Sequence, residues 1–280
     1  MEALLQPFQF EFFRNGIMAA ILAGGLCGLI GVYIVLRSMS YIGHGLSHAI
    51  FGGAVISYVL QWNFYLGAGI WGFVCALLIN KTVRAAKINA DAAIGVITTA
   101  SFAIGIALIS RYRSFTRSFD AALFGNILGV TQQDILVIAV ITVLIAAVIF
   151  FMYRQLLFTT FDSDVAQVYG VPTAWVETLF AMMLAAALIA ALQILGVTMI
   201  AAALVIPAIT ARLMTDSFNR MILLSAMLGA LTGFVGMYLS FYVDVASGAT
   251  IVLAQALLFV LVLSFSLFQN RAYSLPHTHV

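Results

Sequence analysis

The chain of 280 residues is 64% hydrophobic and only 8% charged, with a mean hydropathy of +1.14. Soluble domains carry about a quarter charged residues, so this one cannot cover a water-facing surface, and a bilayer is its expected solvent. A formal net charge of +2 with dispersed basic residues excludes a nucleic-acid partner by the usual electrostatic criterion.

The N-terminus, MEALLQPFQFEFFRNG, lacks a basic start and a small-residue cleavage site, and so reads as retained rather than as a removable signal peptide. Apolar segments long enough to cross a bilayer follow at about 16–36, 45–61, 65–80, 92–110, 134–153, 174–192, 195–213, 221–242 and 248–268. The second begins at a pair of histidines, and the sixth and seventh are one stretch interrupted near LQILGV. The expected class is therefore all-α: a polytopic helical bundle of about 8–9 transmembrane helices. Short connections make residues 1–280 a single membrane domain.

Lys and Arg placement orients the bundle. With the N-terminus outside, Arg37, Lys81, Arg84, Lys87, Arg154, Arg212, Arg220 and Arg271 lie inside, and Arg14, Arg111, Arg113 and Arg117 outside. Glu2, Glu11, Asp120, Asp134 and Asp244 fall outside as well. Two glycine pairs, Gly24/Gly28 and Gly229/Gly233, have the four-residue spacing of close helix contacts, within the subunit or against a twin. Pro207 lacks one backbone donor and is expected to bend its span. Cys27 and Cys75 sit in apolar runs without paired spacing and read as small buried hydrophobes, not as a disulfide.

The motif SYIGHGLSHA sets His44 and His48 four residues apart. On a helix both imidazoles share one face, and imidazole ligates first-row divalent metals. Intramembrane ionisable groups usually face a water-filled path or a partner. A metal contact in a translocation path and a plain hydrogen bond to a backbone carbonyl at a helix end both fit the spacing. A bis-histidine haem does not, because one helix cannot straddle the iron; nor does a zinc protease, whose glutamate base is missing. His277 and His279, in PHTHV, read as a frayed tail.

No GxxxxGK[ST], HExxH or GxSxG pattern occurs, so the chain has no engine for nucleotide hydrolysis and is not expected to be an enzyme. On the inner side, TTFDSDVAQVYGVPTAW forms a polar stretch. Asp162 or Ser163 N-caps a short helix ending at Val168, Gly170 stops it and Pro172 starts the next element. By itself the segment fits a capping connector as well as a docking knob.

Six fragments in order, GVYIVLRSMSYIGHGLSHAIFGGAVISY, DAAIGVITTASFAIGIALIS, LFGNILGVTQQD, FDSDVAQVYGVP, LGVTMIAAALVIPAITARL and VASGATIVL, resemble the permease subunits of ABC importers for zinc, manganese and iron. The resemblance runs from about residue 14 to 268. It implies a multi-pass protein of the cytoplasmic membrane, working as two permease copies with a soluble ATP-binding subunit inside and a metal-loaded solute-binding protein outside. The transported ion, Zn2+ or Mn2+, is then cargo rather than a permanently bound cofactor. The resemblance makes FDSDVAQVYGVP the segment coupling to the ATPase (about 159–173), with Phe161, Asp162, Asp164, Ala166, Gly170 and Pro172 as its matching residues.

The family pattern after the first span is S-x-x-G-D-x-x-S-H. His48 matches its histidine, and His44 stands where its aspartate is expected. That exchange of a hard oxygen for a softer nitrogen points to zinc. The VASGATIVL ending resembles manganese-type members and points the other way; the balance falls to zinc, with iron also open. The rival reading is a gradient-driven secondary transporter or channel. It needs midplane acids, and only Asp91 and Glu177 stand near spans.

Overall fold

The computed structural model describes residues 6–86, 90–112, 123–125 and 129–273. His277 and His279, like Glu2, Lys87, Arg113, Arg117 and Asp120, lie outside the described residues, as do the side chains of Arg84, Asp91 and Arg271. After a 3-10 turn at Gln6–Gln9, the helices are α1 (Glu11–Leu36), α2 (Ser40–Val59), α3 (Phe64–Ala86), α4 (Ala90–Tyr112), α5 (Gln132–Phe151), α6 (Tyr153–Phe161), α7 (Ser163–Val168), α8 (Thr173–Met214), α9 (Phe218–Val243) and α10 (Ser247–Tyr273).

Seven of these are long and apolar enough to cross a membrane by length and composition. A straight helix of 42 residues, the length of α8, would measure about 63 Å, roughly twice a hydrocarbon core. The chain solves this at Gly196, whose φ of 74° and ψ of 160° are the only non-helical dihedrals inside the element. This is the LQILGV interruption, and it divides α8 into two spans. Counting the 20-residue α2 as well gives nine membrane-length helices among the described residues, within the expected range. The expected bend at Pro207 is not where the helix breaks: its dihedrals stay helical, because a proline removes one donor whereas Gly196 adopts a left-handed φ closed to other residues.

Helices α1 and α8 form the centre of the bundle, and α5 and α10 its rim, with Leu136, Val143, Leu144, Leu253, Leu257 and Phe265 exposed. Hydrogen bonds between helix ends fix the alternation of crossings. At one face, Tyr65 at the start of α3 donates to Asp134 Oδ1 at the start of α5, at 2.6 Å. That carboxylate also closes a capping box with Thr131, accepting the Thr131 N–H at 2.8 Å. At the opposite face, Asn80 Nδ2 donates to Thr178 Oγ1 at 2.8 Å, and the Tyr153 hydroxyl donates to Asn219 Oδ1. Arg37, Lys81, Arg154, Arg212 and Arg220 gather at this second face, which is the inner one by the charge rule.

The two glycine pairs meet each other within one subunit. A Cβ on Gly24 would stand 2.2 Å from the Gly229 carbonyl oxygen, one on Gly28 2.2 Å from that of Ser225, and one on Gly233 2.3 Å from that of Ala20. Helices α1 and α9 thus touch backbone to backbone, and Ser225 Oγ donates to the Gly28 carbonyl at 2.6 Å. Both cysteines are buried and free, as their apolar surroundings imply.

Because the obstacle at the α1–α9 seam is backbone and cannot rotate away, Gly229→Val must force the helices apart. The expected cost is about 3 kcal/mol, the upper end for overpacking, read as a lowered thermal midpoint in detergent. Gly69, whose added Cβ would meet nothing within 4 Å, provides the control: Gly69→Ala should leave the midpoint unchanged.

Candidate functional site

Helix α2 begins at Ser40, five residues before the expected start, so both histidines lie inside its first turns. Small residues hold this helix tightly in place. A Cβ on Gly45 would meet Ile94 Cγ2 at 2.5 Å, and one on Gly52 would meet the Ser101 carbonyl oxygen at 2.4 Å. Ser101 Oγ donates to the Ala49 carbonyl at 3.0 Å and accepts from Trp71 Nε1 at 2.5 Å. Ser47 Oγ donates to the His44 carbonyl at 2.7 Å and lies 3.3 Å from the Val197 carbonyl, just past the break in α8. Helices α3, α4 and α8 therefore fix the register of α2.

The two imidazoles stand together as the spacing requires, with centroids 4.6 Å apart and planes nearly perpendicular at 86°. His44 is exposed and His48 half-buried, and they line a cavity of about 450 Å³ with Gly45, Thr98, Thr99 and Phe102. The His48 ring packs edge-on to Phe102 at 4.8 Å, and its Nδ1 is buried without a hydrogen-bond partner among the described residues. Packing, not a backbone carbonyl, thus positions the ring, which disfavours the helix-end reading. Among the described residues no group of three or more His, Cys, Asp or Glu side chains converges. One chain offers the pair of nitrogens and neighbouring hydroxyls: a loose set, suited to contact and release rather than to a closed structural site.

The inner segment forms as its sequence predicts. Asp162, in extended conformation, N-caps α7 and accepts the Val165 N–H at 2.9 Å. Gly170, at φ 82°, ends it in a Schellman turn: the Gly170 N–H reaches the Gln167 carbonyl and the Val171 N–H that of Ala166, each at 3.0 Å. Pro172 is the N-cap of α8. The matching residues divide by role. Ala166 is fully buried and seats α7 on the bundle, whereas Asp164 is exposed. Phe161 is 64% exposed, Val168 86% and Tyr169 75%, so apolar side chains project from a polar segment.

Arg37 is the participant that sequence reasoning passed over, having counted only its charge. Its Nε donates to Thr160 Oγ1 and its Nη2 to Thr159 Oγ1, each at 3.1 Å, and its guanidinium lies 4.3 Å from the centre of the Phe180 ring. Burial pushes it down to about 10, against the opposing pull of Glu177 and Tyr33, so it remains charged at neutral pH. It borders a second cavity, of about 320 Å³, shared by Ile42, Leu46, Asn80, Glu177 and Phe180. The signal available in the sequence was position: Arg37 follows the first span directly, in VLRSMS.

Known proteins share both the sequence and this architecture. The profile of the ABC 3 transport family matches residues 9–266. The manganese transport system membrane protein MntC of Halalkalibacterium halodurans is 38% identical over 93% of this chain and 89% of its own length. The chelated iron transport system membrane protein YfeC of Yersinia pestis is 32% identical over 92% and 88%. Among solved structures, PsaBC from Streptococcus pneumoniae, in complex with Fab, superposes with a TM-score of 0.84 at 34% identity, covering 94% of this chain and 95% of that one. The chain belongs to the ABC 3 transport family: it is a multi-pass membrane permease of an ABC importer, and not itself an ATPase.

Proposed function

We propose that this permease imports a divalent first-row transition metal, manganese or iron, and that His44 and His48 touch the ion in transit. The observation that carries this reading is the imidazole pair, His44 exposed and His48 half-buried, lining one cavity from the first turns of α2. The names of the relatives outweigh the zinc preference drawn from His44, since they are manganese and iron systems. His44 then tunes the path toward softer ions without excluding manganese.

Residues 1–280 act as one permease domain, paired with a second copy in the cytoplasmic membrane. A soluble ATP-binding subunit docks on the inner segment, 159–173, and an extracytoplasmic solute-binding protein delivers the ion. The projecting Phe161, Val168 and Tyr169 favour docking over a bare connector, because an apolar tip facing water is unfavourable unless a partner covers it. Asp162 and Gly170 shape this tip through their caps, and Asp164 adds a surface charge. A gradient-driven carrier fits less well: Glu177 accepts a hydrogen bond from Ser163 at 3.1 Å and lies beside Arg37, at the inner end rather than at a midplane relay.

Replacing both histidines by alanine should lower manganese and iron uptake by vesicles carrying the complete importer by at least about tenfold, since loss of even an outer-shell partner has such effects. Assembly with the ATPase should persist. Undiminished uptake in the double variant would remove the pair from the path.

The docking tip is tested separately. Val168→Ala combined with Tyr169→Ala should weaken capture of the ATPase in detergent by about 2 kcal/mol, roughly thirtyfold in Kd, as loss of an interface anchor does. Full capture by this variant is incompatible with docking at α7.

A further inference from the structure

We propose that Arg37 is the positioning residue that carries movement of the coupling segment to the histidine helix, so that its loss lets ATP be hydrolysed without metal being moved. This rests on the functional reading above, and deepens it by naming the mechanical link between its two sites.

The link is continuous in named contacts. Ser163 on α7 donates to Glu177 on α8, whose carboxylate lies in the field of the Arg37 guanidinium. Arg37 in turn holds Thr159 and Thr160 on α6 and stacks over Phe180 on α8. Both threonine hydroxyls spend their protons on α6 itself: Thr159 Oγ1 donates to the Gln155 carbonyl at 2.9 Å and Thr160 Oγ1 to that of Leu156 at 2.6 Å. Their lone pairs are thereby fixed toward the guanidinium. One side chain thus grips both the helix before α7 and the helix after it.

On its other side, Arg37 is joined to α2 by a turn with no slack. Helix α1 ends in a Schellman closure, with the Ser38 N–H on the Val35 carbonyl at 3.1 Å and the Met39 N–H on that of Ile34 at 3.0 Å. Ser38 sits at φ 55°, the left-handed region that glycine usually fills, and the two reciprocal bonds hold it there. Helix α2 starts at the next residue but one, so His44 lies about one helical turn into the helix that follows Arg37. The second cavity, between Phe180 and Glu177 on one side and Ile42 and Leu46 of α2 on the other, gives α2 room to move when the grip shifts.

The chemistry requires arginine. A planar guanidinium reaches two hydroxyls along one edge while its face stacks on an aromatic ring; a lysine ammonium keeps the charge but cannot do both.

The experiment uses the complete importer in vesicles, with its ATPase and binding protein, and measures manganese or iron moved per ATP hydrolysed. Arg37→Lys should lower that ratio by at least about fivefold, the small end of an ordinary coupling free energy. ATP hydrolysis, ATPase capture and the thermal midpoint should stay near the unaltered values. Thr159→Val with Thr160→Val should lower the ratio likewise, and adding Arg37→Lys to that pair should lower it no further, because all three act through one contact. Thr159→Ser with Thr160→Ser, which keeps the hydroxyls, should preserve it.

An unaltered ratio in Arg37→Lys overturns the inference, as does a loss that merely follows reduced capture or a lowered midpoint. An unaltered importer that hydrolyses ATP without moving manganese or iron sinks the functional reading itself, and this inference with it.

Discussion

No water is available inside a bilayer to satisfy a backbone N–H or C=O, so a helix that stops within the bundle must find its partners in the chain. That constraint governs the break at Gly196. The carbonyl before it, on Ile194, accepts from Ser247 Oγ at 3.2 Å, and the carbonyl after it, on Val197, is approached by Ser47. Thr198 Oγ1 donates to the Leu123 carbonyl at 2.7 Å. Space for these approaches comes from glycine: a Cβ on Gly196 would meet the Leu123 carbonyl oxygen at 2.4 Å, and one on Gly248 the Leu195 carbonyl oxygen at 2.2 Å. Of these, the Ser247 bond meets a carbonyl freed by the break, and together the contacts knit α2, α10 and the 123–125 segment around it.

Helix α2 emerges as the element between two spaces. One face carries His44 and His48 toward the larger cavity; another carries Ile42 and Leu46 toward the smaller one above the coupling segment. Its contacts with α4 use glycine, serine and threonine, whose short side chains let the two helices approach closely and set their register. The α1–α9 seam adds an aromatic cluster to its backbone contacts: Phe13, Tyr238 and Phe241 pack edge to face at its outer end, with Phe13 centred 5.0 Å from Phe241. A stiff seam beside a helix with space on two sides is the arrangement a pump needs if one part is to move against another.

Much of this was legible from residue type and spacing. The number of spans followed from apolar length; the cap at Asp162 and the stop at Gly170 followed from local turn chemistry; and the shared face of the histidines followed from helical periodicity. What escaped depends on contacts far apart in the chain. Arg37 and Thr160 are separated by 123 positions, and no local pattern announces that they meet. The glycine pairs announced a close contact but not its partner, because the spacing is the same for a subunit seam and a dimer. The interruption at LQILGV was visible in the sequence, but the left-handed conformation of Gly196 is imposed by the neighbours that cross it.

The burial of both native thiols has a practical consequence. Cys27 has no exposed surface and Cys75 only 3%, each enclosed by packed helices. Polar maleimides and spin labels will therefore find the chain effectively cysteine-free, and a single thiol placed on α7 or beside His44 can be modified without first removing the natural ones. Distances between such labels, followed through a cycle of nucleotide binding and release, would record how far the inner segment and the histidine helix travel together.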